Sequence, residues 1–212
     1  MSRGLPLAGF VHVFEPGTAA DSRTLLLLHG TGGDEEDLLP LGRALDRGAA
    51  LLSPRGAVLE HGMPRFFRRI AEGVFDLEDL ARRTDDLAHF IEQAAELYGF
   101  DPRRLCAVGF SNGANIAASL LLRHPGALRE AILFRAMVPF EPGVTVGLHD
   151  ARVLVSAGRN DPIAPPAGAE RLAELLRAAG ADVTLRWDDG AHGLGQSEVH
   201  AARDWLAAGP TA

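Results

Sequence analysis

The chain has 212 residues, of which 47% are apolar and 23% charged, with 24 glycines and 13 prolines. That composition excludes collagen-like and intrinsically disordered chains, and the length points to a single domain over residues 1–212 that buries roughly 70% of the surface its unfolded form exposes. A formal net charge of −7 argues against nucleic acid as a partner, because phosphate binding needs a local excess of Lys and Arg.

All 21 basic residues are arginine. The absence of lysine excludes a P-loop, a lysine Schiff base, Ser-Lys hydrolases and protein kinases. The single cysteine, Cys106, lies in the apolar run Leu105–Val108 and reads as a small buried hydrophobe. One cysteine allows no intrachain disulfide, which suits a reducing cytoplasm. MSRGLPLAGF has no apolar signal core, and Leu25–Leu28 is too short to cross a bilayer, so no stable membrane insertion is expected.

In chain order, strand-like runs occur at Phe10–Phe14, Thr24–His29, Ala49–Ser53, Leu105–Phe110, Ala131–Phe134, Val153–Ala157 and Val183–Trp187. Most are continuously apolar, the pattern of strands buried on both faces of a parallel sheet. Phe10–Phe14, flanked by polar sequence, reads as an edge strand. Between the runs lie helical periods. One opens at Asp34 with Leu38, Leu41 and Leu45 inward. A second is capped by Asp76 and stopped by Gly99 and Pro102. A third follows residue 113 as far as Arg123. A fourth runs from Pro165 or Pro166 to Gly180, and a last is capped by Ser197. The alternation predicts an α/β chain with a doubly wound, mostly parallel sheet of about seven strands and no large cap domain. Functional loops are then expected at the carboxyl ends of the strands. Pro54–Phe75 fits neither period, and a segment of that length is commonly a lid or binding loop.

Gly109-Phe-Ser-Asn-Gly113 stands between a strand and a helix, the context of a nucleophile elbow. The turn is so sharp that side chains at 109 and 113 would collide with their neighbours. The serine at its apex meets the positive end of a helix. His29-Gly-Thr-Gly-Gly33 follows another strand and offers backbone N–H groups to an oxyanion. The alternative, a dinucleotide loop, lacks its third glycine, where Glu35 stands. His29 itself reads as a hydrogen-bonded brace. Gly158-Arg-Asn-Asp161-Pro and Gly190-Ala-His192-Gly follow two later strands. The order Ser111, Asp161, His192 is that of an α/β-hydrolase triad, in which the histidine activates the serine and the acid orients the histidine. Asp188 and Asp189 are rival acids, placed too near His192 on one tight loop; His61, His124 and His149 are rival bases.

The set HGTGGDE, GFSNGAN, GRNDP and GAHGL resembles the small carboxylesterase/phospholipase family of α/β-hydrolases, which includes the acyl-protein thioesterases. The similarity runs from the strand before His29 to the last helix. It implies Ser111 as nucleophile, Asp161 as acid and His192 as base, with the N–H groups of Thr31 and Asn112 as the oxyanion hole. Asn112 stands where the thioesterases usually carry Gln, a change that leaves the N–H in place. MPRFFRR and LFRAMVPFEP look like a bacterial esterase subgroup. Dienelactone hydrolases share the architecture but use cysteine where this chain has Ser111.

Phe66, Phe67, Met137, Ile163 and Leu194 are the candidate substrate-binding residues, with ordinary core packing as the alternative for each. Arg65, Arg68 and Arg69 read as a solvated basic face or as a site for a substrate carboxylate. Arg135, inside an apolar run, calls for a buried carboxylate or carbonyl partner. The expected activity is hydrolysis of small to medium carboxylic esters through an acyl-enzyme, by a monomer or homodimer without metal or organic cofactor. The alternatives are a thioesterase or lysophospholipase with the same triad, and a non-catalytic binding protein of the same fold.

Overall fold

The computed structural model describes residues 2–3, 6–143 and 147–209. The first strands are β1 (Ser2–Arg3), β2 (His12–Glu15) and β3 (Thr24–Leu28), followed by α1 (Leu39–Leu45) and β4 (Ala50–Pro54). Two small hairpins come next: β5 (Val58–Glu60) with β6 (Met63–Arg65), and β7 (Arg69–Ala71) with β8 (Val74–Phe75). The second half holds α2 (Leu77–Tyr98), β9 (Leu105–Phe110), α3 (Asn112–Arg123), β10 (Glu130–Phe134), β11 (Arg152–Gly158), α4 (Pro166–Ala178), β12 (Asp182–Asp188) and α5 (Gln196–Ala208).

The main sheet has the order β1-β2-β4-β3-β9-β10-β11-β12. From β4 to β12 every pairing is parallel; β2 joins β4, and β1 joins β2, antiparallel. This is the α/β-hydrolase fold. The seven predicted runs are its seven longer strands. The eighth, β1, has two residues, too few to carry a period. Because β1 covers it, β2 is not the sheet's edge on that side. At the other edge β12 alternates between partly buried and exposed residues, whereas β3, β4 and β11 are buried throughout. Leu80, Leu87, Phe90, Ile116, Leu120, Leu172 and Leu176 bring α2, α3 and α4 onto one face of the sheet. Leu39, Leu45, Ala202 and Leu206 bring α1 and α5 onto the other.

Helix ends follow their local chemistry, with two departures from the sequence reading. Asp76 caps α2 by accepting the Asp79 N–H at 3.0 Å, and Gly99 ends it in the left-handed region at φ 71°. The helix expected from Asp34 begins only at Leu39, because the Asp34 carboxylate accepts the Glu36 N–H at 2.8 Å and holds a turn there. Ser197 is not a cap but lies inside the first turn of α5. Its hydroxyl donates to Asp188, and Glu198 accepts the N–H of Gly195, the residue that caps the helix.

The Pro54–Phe75 segment, expected as one irregular loop, consists largely of the two hairpins, and it is tied down. Gly32 donates to Pro64 at 2.9 Å, and Phe66 donates to the Asn112 side chain at 2.8 Å. Phe66 and Phe67 are 1% and 0% exposed and belong to the core beneath the insert.

The elbow glycines are packing requirements. A Cβ on Gly109 would lie 2.6 Å from the Ala114 Cα, and one on Gly113 would lie 1.9 Å from the Leu28 carbonyl oxygen. Gly113→Ala is therefore expected to cost about 3 kcal/mol or more in urea unfolding. Gly168→Ala, on α4 where a Cβ meets nothing within 4 Å, is expected to stabilise by about 0.5–1 kcal/mol.

Candidate active site

Ser111 sits between β9 and α3 with φ 51° and ψ −112°, a conformation that a non-glycine residue holds only under constraint. Its N–H donates to the Phe134 carbonyl at 2.9 Å, which pins the elbow to the end of β10. The register explains the convergence of the loops. Leu28 pairs with Gly109, Phe110 with Phe134, Phe134 with Ser156, and Gly158 with Asp188, so the loops after five strands open on one edge.

At that edge His192 Nε2 lies 2.9 Å from Ser111 Oγ, and His192 Nδ1 lies 2.8 Å from Asp161 Oδ2. The other Asp161 oxygen accepts the N–H groups of Ile163 and Ala164 at 2.8 and 3.0 Å. Burial alone would raise the Asp161 pKa; the Ala164 N–H, the His192 ring and the Ile163 N–H outweigh it and hold the carboxyl below its ordinary range. An ionised Asp161 can only accept. It therefore selects the His192 tautomer with the proton on Nδ1 and leaves the Nε2 lone pair facing the serine hydroxyl. The Phe110 ring packs against His192 at 5.4 Å between centroids.

The rival groups are engaged elsewhere. Asp188 accepts from Gly190 and Ser197, and Asp189 pairs with Arg159 in solvent. His124 is bonded to Asp85, and His61 lies in the turn between β5 and β6. His149 borders a cleft with Arg152 and Asp182, the first residues of β11 and β12, at the opposite edge of the sheet.

Thr31 and Asn112 each stand three residues past a paired position, Leu28 opposite Gly109. The Asn112 N–H belongs to the first turn of α3, where no preceding turn supplies a helical acceptor. The Thr31 loop is braced from both sides. His29 Nδ1 donates to the Gly30 carbonyl at 2.6 Å, its Nε2 accepts the Gly56 N–H at 2.9 Å, and burial lowers its pKa. His29 is thus a neutral brace, as its position in the sequence suggested. On the other side Arg65 Nη1 donates to Thr31 Oγ1 at 2.7 Å.

Arg65 corrects the expectation of a solvated face. It is 3% exposed, paired with Glu60 at 3.1 Å and bonded to the Phe67 carbonyl. Arg69 shares Glu60, and Arg68, which is exposed, pairs with Asp76. Of the candidate substrate residues, Phe66 and Phe67 are too buried to wall an accessible site. Leu194 turns away as well: the chain enters α5 at residue 196, and Leu194 packs with Val199 and Trp205 on the α1–α5 face. Met137 is partly buried, its N–H donating to Asn115 at 2.7 Å, and Ile163, two residues past Asp161, is 39% exposed. The sequence reading missed Met63, whose thioether lies 3.7 Å from where a Gly32 Cβ would stand. No motif marks it; the hairpin brings it to the Thr31 loop.

Burial pushes the Cys106 thiol well above its ordinary range, so it is not a nucleophile at neutral pH. Among the described residues no three His, Cys, Asp or Glu side chains are grouped to hold a metal ion, and no helix is long and apolar enough to cross a membrane. A carboxyl with a lowered folded-state pKa adds stability above its unfolded value, near pH 4, and loses it as pH falls through the folded value. The stability advantage of wild type over Asp161→Asn is therefore expected to shrink as the pH falls below about 4. Urea titrations on either side of that pH would measure it.

Comparison with known proteins agrees with this architecture. The profile of the Phospholipase/Carboxylesterase family matches residues 11–209. MhqD of Bacillus subtilis (strain 168) is 49% identical over 194 residues, covering 92% of this chain and 96% of that protein. The crystal structure of the Bacillus cereus carboxylesterase superposes with a TM-score of 0.92 at 49% identity, covering 94% of each chain. A carboxylesterase from Mesorhizobium loti superposes with a TM-score of 0.86 at 34% identity, covering 92% of this chain and 91% of that one. With its sheet, its elbow and its whole-length similarity in agreement, the chain belongs to the phospholipase/carboxylesterase family of α/β-hydrolases and is a hydrolase.

Proposed function

We propose that this hydrolase is a serine carboxylesterase, cleaving small to medium carboxylic esters by way of an acyl-enzyme. The observation that carries the reading is the unbroken relay from Ser111 Oγ through the His192 ring to Asp161, at 2.9 and 2.8 Å. The Bacillus cereus and Mesorhizobium loti relatives, both described as carboxylesterases, support an ester as substrate.

His192 Nε2 takes the Ser111 proton as Oγ attacks the ester carbonyl. Asp161 stabilises the imidazolium that forms. The carbonyl oxygen becomes an oxyanion and is held by the N–H groups of Thr31 and Asn112, the second reinforced by the positive end of α3. The imidazolium then protonates the leaving alcohol as the C–O bond breaks, leaving Ser111 acylated. Water, deprotonated by His192, attacks the acyl carbonyl, and collapse of the second tetrahedral intermediate returns the proton to Ser111 and releases the acid. Among the described residues no large cap covers this edge, which favours soluble substrates that enter directly. No jump in rate is expected as an ester passes its micelle threshold.

Turnover of p-nitrophenyl acetate and butyrate tests the reading. Ser111→Ala is expected to lower kcat by a factor of about 10⁶, and Asp161→Asn by about 10⁴. A fluorophosphonate should add covalently to the wild type at Ser111 and leave Ser111→Ala unlabelled. Equal activity in wild type and Ser111→Ala would overturn the assignment. Matched esters and thioesters compared by kcat/KM separate an esterase from a thioesterase with the same residues.

A further inference from the structure

Arg135 occupies an unusual place. It is the residue after β10, it has φ 57°, and its side chain is fully buried. The residue before it, Phe134, accepts the Ser111 N–H. Arg135 Nε donates to the Ala191 carbonyl at 2.8 Å, and one Nη donates to the Gly193 carbonyl at 2.9 Å. Those two carbonyls flank His192. The same guanidinium is paired through both Nη atoms with Glu198, at 2.5 and 2.8 Å. Its Nε also lies 3.7 Å from the Asp161 oxygen that holds the His192 ring. The end of β10 thus touches the segments of all three proposed catalytic residues.

Stability alone is a weak account of this cluster. A buried ion pair recovers its desolvation cost only with good geometry, and an apolar replacement of both partners is often tolerated. The arrangement here is a fork whose donors are divided between one carboxylate and two loop carbonyls, which a lysine cannot reproduce. Glu198 is itself fixed, accepting from Ser156 Oγ at 2.7 Å and from the Gly195 N–H at 3.0 Å. Asp188, at the end of β12, also feels the Arg135 charge, as it does that of Arg186 two residues before it.

We propose that Arg135 is a positioning residue for His192: it grips the backbone on both sides of the histidine, while Glu198 keeps its positive charge from acting on the Asp161–His192 pair. This rests on the esterase reading for its kinetic consequences, though not for its geometry. A loop released from the guanidinium lets the ring leave the line between Ser111 and Asp161, which slows the chemical step more than binding. Loss of the Glu198 charge alone leaves a cation beside Asp161 and disfavours the imidazolium, so the neutral base persists to lower pH.

Three variants of the full chain test this. Arg135→Lys and the double variant Arg135→Met/Glu198→Met, each first checked for a cooperative thermal transition, are expected to lose about a hundredfold in kcat with KM little changed. In both, the downfield proton resonance of His192 Nδ1–H, assigned by its loss in His192→Gln, should broaden or vanish. Glu198→Gln, which keeps a hydrogen-bonding oxygen, should move the acid limb of the kcat/KM profile down by about one pH unit. The double variant removes both charges together, so it remains informative where Arg135→Met alone would strand Glu198 and unfold. Folded variants with wild-type kcat and an unchanged Nδ1–H resonance would overturn the positioning role. A Glu198→Gln profile coincident with wild type would overturn the neutralising one. Activity that survives Ser111→Ala would count against the esterase reading, while the resonance still reports on the Arg135 grip.

Discussion

The passage of α3 across the end of β3 is the contact on which the rest of the active edge depends. A helix can begin one residue after Ser111 only because Gly113 brings its backbone against the Leu28 carbonyl, where a Cβ would lie 1.9 Å away. That approach forces Ser111 to φ 51° and turns the first amides of α3 toward the edge where β3 ends. The strain at Ser111 is held by the Phe134 carbonyl on one side and by the Asn112–Phe66 hydrogen bond on the other. Packing, strain and the helix dipole therefore coincide at one residue, as expected where a hydroxyl has to be presented rather than buried.

Around that contact the protein uses buried arginines as connectors. Arg65 ties the hairpin insert to the Thr31 loop, and Arg135 ties the His192 loop to the start of α5. Arg152 does comparable work at the far edge of the sheet, stacked on Trp205 and paired with Glu130. Each spreads its donors over more than one partner, which fixes a geometry that a point charge would leave loose. The exposed pairs, such as Arg123 with Asp85 and Arg43 with Glu15, are screened by water and contribute little to stability. In a chain without lysine, the same side chain serves both as surface charge and as internal fastener, and burial decides which.

The hairpin insert illustrates how placement changes meaning. Phe66 and Phe67 occupy the core under the insert, while Met63, Leu59, Ile70 and Val74 remain exposed on it. The aromatic residues that invite a substrate-binding reading are the anchor of the insert. The neutral His29 belongs to the same anchor, its ring against Phe66 at 4.7 Å between centroids and its Nε2 on Gly56.

Much of this was legible from the chain alone. Continuous apolar runs divided by helical periods imply a parallel sheet covered on both faces, and the seven predicted runs are its seven longer strands. Gly109-Phe-Ser-Asn-Gly113 carries its own steric argument, and Ser111, Asp161 and His192 each follow a strand, which confines them to one edge. These features are local or periodic, so sequence records them directly. The side on which Leu194 packs, the burial of Arg65, and the meeting of Arg135 with Glu198 across 63 residues of chain have no local signature. They follow from how α5, the hairpins and the strand ends come together, and a buried charge acquires its partner only when the whole fold has excluded water from both.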